Sequence, residues 1–119
     1  MFRKLKRSFK ELRYKLRRTI QRATRGYADE DVWNMDMWFL ETIPKMLRQL
    51  GSEKSVSFPG CVPWETPEKW HAELEYIARG FEELLSIRDN PWYGARHQYV
   101  EIKRDTFNHF IAAFDDLWD

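Results

Sequence analysis

Apolar residues recur at intervals of three and four along most of this 119-residue chain, and nowhere do they alternate over the length of a strand. That period places them on one side of an α-helix and not on one face of a sheet, so an all-α fold is expected. Four segments carry it. The first, Phe2 to about Ala23, has Phe2, Leu5, Phe9, Leu12, Leu16 and Ile20 as a single narrow stripe with charge on every other side. Gly26 is positioned to end it. The second runs from Asp29 to Leu50 with a much wider apolar surface, which predicts a central helix bent at Pro44. The third opens on Thr66-Pro67-Glu68, an N-cap, a first-turn proline and a first-turn acid, and runs to about Ile87. The fourth spans about His97 to Trp118, with Val100, Phe107, Phe110, Ile111, Phe114, Leu117 and Trp118 as its expected buried stripe. Residues 51–66 and the Asp89–Gly94 stretch read as loops. The expected architecture is a compact bundle of three core helices plus an N-terminal basic amphipathic helix. Gly80 is expected to permit close helix–helix approach.

Charge divides the same chain differently. The net charge is only +1, yet residues 1–26 hold eleven bases and one acid, and residues 27–119 hold nine bases and eighteen acids. A basic helical arm (1–26) therefore precedes an acidic helical body (27–119). Hydrophobic content of 43% excludes a disordered chain. No apolar run reaches the ~18 residues of a membrane span. No apolar segment of signal-peptide type follows the first basic residues. The one cysteine, Cys61, excludes an intramolecular disulfide and suits a reducing compartment.

Sites of chemistry are sparse. The histidines, His71, His97 and His109, form no metal-ligand spacing, and there is no phosphate loop, dinucleotide fingerprint or nucleophile elbow. No enzyme, metal or cofactor is therefore expected. Asp36 lies beside Trp33, Phe39 and Leu40 on the most apolar segment, where a carboxylate needs a partner. It reads either as a structural hydrogen-bonding residue or as a polar anchor in a pocket, with Arg79, Arg96 and Tyr99 as candidate partners. Trp33, Trp38, Trp70 and Trp118 fall on helical apolar faces and are expected in the core. Trp64 and Trp92, each beside a proline, either cover the core edge or offer a stacking surface.

Several blocks together resemble a known pattern. Arg25-Gly26-Tyr27-Ala28-Asp29-Glu30-Asp31-Val32-Trp33-Asn34-Met35-Asp36 looks like the opening of a family of small bacteriophage and prophage proteins. Ile43-Pro44, Phe58-Pro59-Gly60, Thr66-Pro67-Glu68-Lys69-Trp70, Ala78-Arg79-Gly80-Phe81-Glu82 and the terminal Phe107 to Asp119 are similar to its later blocks, in the same order. Ala28 replaces a usual Ser or Pro, which leaves Asp29 as the candidate cap. The resemblance covers about residues 25–119. It implies an accessory protein in the cytoplasm of the infected bacterial host, and it brings no known activity, cofactor or site. Asn34, Asp36 and Asp119 are polar residues of its motif.

From these features a binding protein is expected. The leading reading is counter-defence: a homo-oligomer that sequesters a nucleotide-derived immune signal. Asp36 and Asn34 would meet ribose hydroxyls beside Trp33; Trp64, Trp92 or Tyr99 would stack on bases; Arg79 or Arg96 would hold phosphates. The arm stripe, Phe2 to Ile20, would serve assembly or partner contact. The alternatives are an inhibitor or adaptor that engages a host defence protein, and a structural or nucleic-acid-associated component using residues 1–26.

Overall fold

The computed structural model describes residues 2–52, 57–90 and 92–118. It is all-α, and no strand occurs among the described residues. The helices are α1 (Phe2–Arg25), α2 (Asp29–Trp33), α3 (Met35–Leu50), α4 (Pro67–Ile87) and α5 (Tyr93–Ala113), closed by a 3-10 turn at Phe114–Asp116. Expectations placed on Pro91 and Asp119 lie outside the described residues. The chain divides into two compact units, Met1–Trp38 and Phe39–Asp119.

In the first unit, α1 ends where the sequence predicts. Gly26 takes φ +87°, and its N–H bonds the Arg22 carbonyl at 3.0 Å. A left-handed residue at this position closes the helix, and glycine adopts it without the Cβ penalty. Ala28 then stands before α2. Its backbone N–H donates to the Asp31 carboxylate at 2.8 Å, which is one half of a capping box. Alanine has no side-chain acceptor to supply the other half. Asp29 is the first helical residue and not the cap, so the reciprocal acid is Asp31.

The expected single helix from Asp29 to Leu50 is two helices. Asn34 takes φ −135°, ψ 56° and breaks the run. Its side chain can hydrogen-bond backbone outside helical geometry, which makes asparagine a natural interruption. The break has a consequence for the apolar surface. Val32, Trp33 and Met35 are 53%, 68% and 67% exposed, so this stretch is not the central element that the apolar count implies. Pro44, expected to bend the helix, sits buried inside α3.

The second unit is built around α4. Thr66 Oγ1 accepts from the Lys69 N–H at 3.3 Å and Pro67 occupies the first turn, as the sequence predicts. Trp70, Leu74, Ile77, Ala78, Phe81 and Leu84 are all buried, at spacings of four, three, one, three and three. Leu40 and Leu47 of α3 and Ala113 of α5 complete the core. Phe39, Phe81, Phe107 and Phe110 meet edge-on and stacked with centroids 5.1–6.4 Å apart. α4 and α5 approach closely at Gly80, where an added Cβ would lie 2.2 Å from Thr106 Oγ1. Thr106 is itself buried.

α5 differs from expectation in start and face. It begins at Tyr93, four residues before His97, with the Trp92 N–H held by Asn90 Oδ1 at 3.0 Å. Among its described residues the most buried are Ala95, Thr106 and Ala113, all small, and Thr106 is the one that meets Gly80 of α4. Val100, Ile111, Phe114 and Trp118, expected inside, are exposed.

Candidate functional site

Three groups of residues emerge. The first is α1 with α2. Arg18 pairs with Glu30 at 2.6 Å, Arg22 with Asp31 at 2.8 Å and Glu30 at 3.3 Å, and Arg25 with Asp29. Gln21 both donates to Asp29 and accepts its backbone N–H, each at 2.9 Å. Tyr14 donates to Glu30 at 3.2 Å. Three successive acids at the α2 N-terminus thus meet the polar side of the last three turns of α1. The hydrogen bonds from Arg25 and Gln21 lower the Asp29 pKa, and those from Arg22 and the Ala28 N–H lower that of Asp31.

At about 100° per residue, Tyr14, Arg18, Gln21, Arg22 and Arg25 lie roughly opposite the apolar stripe. Pairing with α2 therefore uses the wrong side of α1 to cover that stripe. Phe2, Leu5, Phe9, Leu12, Leu16 and Ile20 are all more than half exposed, and no residue of α1 is buried. Between Arg3 and Lys15, α1 makes few ion pairs among the described residues. Arg7 reaches Glu11 at 3.5 Å, while Arg3, Lys4, Lys6, Lys10, Arg13 and Lys15 make no ion pair among the described residues.

The second group is an apolar groove within the second unit, about 480 Å³ in volume. Ile43, Met46 and Leu50 of α3 form one wall, with Phe110, Phe114 and Trp118 opposite. It exists because the apolar residues after Phe110 do not all turn inward: Phe114 and Trp118 are 62% and 65% exposed. Asp115 and Asp116 stand beside it in sequence, both solvent-accessible.

The third group is polar and crosses α4 and α5. His109 Nδ1 lies 2.6 Å from Glu73 Oε1, its Nε2 lies 3.6 Å from Asp105, and Tyr76 donates its hydroxyl to Asp105. That bond, with burial adding to it, raises the Tyr76 pKa. The sequence reading missed this cluster because its members come from two helices; only the i, i+4 spacing of Asp105 and His109 signals part of it. It links the two helices. No cluster of three or more metal-ligating side chains occurs among the described residues.

The residues proposed from sequence as a ligand site are distributed as follows. Trp33, Asn34 and Asp36 lie in the first unit, all exposed. The other five lie in the second. Trp64 is buried, its ring 5.0 Å from that of Trp70, where Gly60 (φ +77°) and the Gly60 N–H bond to the Trp64 carbonyl fold its loop onto the core. Arg79 donates to Glu75 at 3.1 Å. Tyr99 packs against the core with Lys103 over its ring. Trp92 and Arg96 are exposed one turn apart, joined by the Arg96 N–H to Trp92 carbonyl bond at 3.2 Å. No helix among the described residues is long and apolar enough to cross a membrane. No family model, curated protein or solved structure matches the chain.

Proposed function

We propose that this is a phage-encoded accessory protein that acts by binding, as a homo-oligomer assembled through α1. One observation carries the reading: the six-residue stripe of α1 is exposed along its whole length while the opposite side of the same helix is held by α2. An apolar stripe of this length on a structured helix costs free energy in water unless another surface covers it. Sedimentation equilibrium of the full chain over a wide concentration range tests this. Growth in average mass with concentration, lost on Leu12→Glu, is expected; a monomer at every concentration sinks the reading.

A second reading, sequestration of a nucleotide-derived signal, is favoured by Trp92 and Arg96. They present an aromatic face and a guanidinium, with no ion pair to the latter among the described residues, on one turn of α5. Thermal melting with cyclic and ADP-ribose-type nucleotides checks it. A rise in Tm that Trp92→Ala removes supports it, and no rise with any of them excludes it.

A further inference from the structure

We infer that the occupant of the α1 stripe is the apolar groove on the second unit of another copy, so that the chain assembles head to tail. The inference rests on the homo-oligomer reading and adds to it which surface receives the helix.

Pairing of α1 with α1 is the obvious alternative, and charge argues against it. Residues 1–26 hold eleven bases and one acid. Two such helices packed stripe to stripe would set like charges along both edges of the seam, which is unfavourable in any relative direction. The unit that carries the groove has the opposite net sign. That unit, residues 39–119, holds nine bases and fourteen acids, against eleven bases and five acids in residues 1–38. Asp115 and Asp116 follow the groove residue Phe114, while of the two cations beside Met46 and Leu47, Lys45 and Arg48, the latter is already paired with Glu75 and Glu82; six cations between Arg3 and Lys15 of α1 make no ion pair among the described residues.

Shape agrees with charge. Phe2, Leu5, Phe9 and Leu12 fall at i, i+3, i+7 and i+10, the spacing with which an amphipathic helix fills an apolar groove. Met46, Phe114 and Trp118 are the side-chain types that line such grooves, and each is more than half exposed. Because stripe and groove are different patches, the contact is heterologous. Such contacts generate rings where the rotation closes and filaments where it does not.

Heterologous contact makes a complementation test possible. Phe9→Glu removes the stripe and Met46→Glu removes the groove; both positions are exposed, 69% and 59%, so the fold should survive, and far-UV circular dichroism checks this. In sedimentation velocity the wild-type chain is expected to grow with concentration, and each variant alone to associate at least about tenfold more weakly, which is about 1.4 kcal/mol. An equimolar mixture of the two should form a dimer and stop there, since the Phe9→Glu chain retains a groove and the Met46→Glu chain retains a stripe. If Met46→Glu associates like wild type and the mixture gives no dimer, the homo-oligomer reading stands and the groove is not the receptor. If the wild-type chain stays monomeric but co-sediments with phosphatidylserine vesicles, lipid covers the stripe and both readings fall.

Discussion

The two units of this chain are held together by different forces. In residues 39–118 the stability lies in apolar burial: six residues of α4 are out of water, and aromatic rings from α3, α4 and α5 interlock around Phe81. In residues 2–38 nothing on α1 is buried, and α1 is tied to α2 by arginine–carboxylate pairs and Gln21. Apolar burial is worth roughly 25 cal/mol per Å² and is little affected by salt. Exposed ion pairs are worth roughly 0–1 kcal/mol each and are screened. The first unit therefore owes less of its stability to apolar burial, and the stripe of α1 stays in water.

The largest expected effect lies in the apolar unit. Phe81→Ala should lower its unfolding free energy by about 3–5 kcal/mol in urea denaturation, because the cavity sits where four phenylalanine rings meet. Next is Gly80→Ala, whose Cβ would collide with Thr106 Oγ1 and Cγ2. Overpacking of this kind costs about 1–3 kcal/mol, and Thr106→Ala in the same chain should recover part of it.

Acid should separate the two units more gently. Arg48 bridges Glu75 and Glu82 across α3 and α4, and its hydrogen bonds hold both glutamates below their ordinary value, as those from Arg25 and Arg22 do for Asp29 and Asp31. A depressed carboxylate pKa means the folded state binds fewer protons than the unfolded one. The stabilisation is present at neutral pH and is lost as pH falls below the ordinary 4.5 of Glu and 3.8 of Asp. Hydrogen exchange should then show α2 losing protection before α4. Simultaneous loss would break the contrast between the units.

The smallest effect is expected from Arg22→Ala. It should weaken the α1–α2 contact by at most about 1 kcal/mol. Amide exchange of Val32 and Trp33 should quicken, with no change in urea midpoint for the second unit. A shift in that midpoint would break the contrast between the units.

How far the fold was legible varies by element. The α4 start at Thr66-Pro67, the end of α1 at Gly26 and the role of Gly80 could be read because each depends on local dihedral freedom or on the absence of a side chain. The split at Asn34, the earlier start of α5 and the exposure of Trp33 and Trp118 could not, because periodicity shows which residues share a face and not whether another helix reaches that face. The polar cluster of Glu73, Tyr76, Asp105 and His109 was illegible for the same reason, as its partners lie on two helices.

The sequence by itself determined that the chain is helical, that a cationic amphipathic helix runs from Phe2 to about Ala23, and where the charge changes sign. These follow from the intervals between residues along one strand of backbone. The tertiary structure alone decided which side of α1 is used within the chain. The acids of α2 claimed the polar side through ion pairs, and the apolar residues of α1 were left in water. The same holds for the groove, where small residues of α5 are buried and Phe114 and Trp118 are left outside. Packing is a competition among all the faces a chain presents, and only the folded arrangement shows which of them remain uncovered.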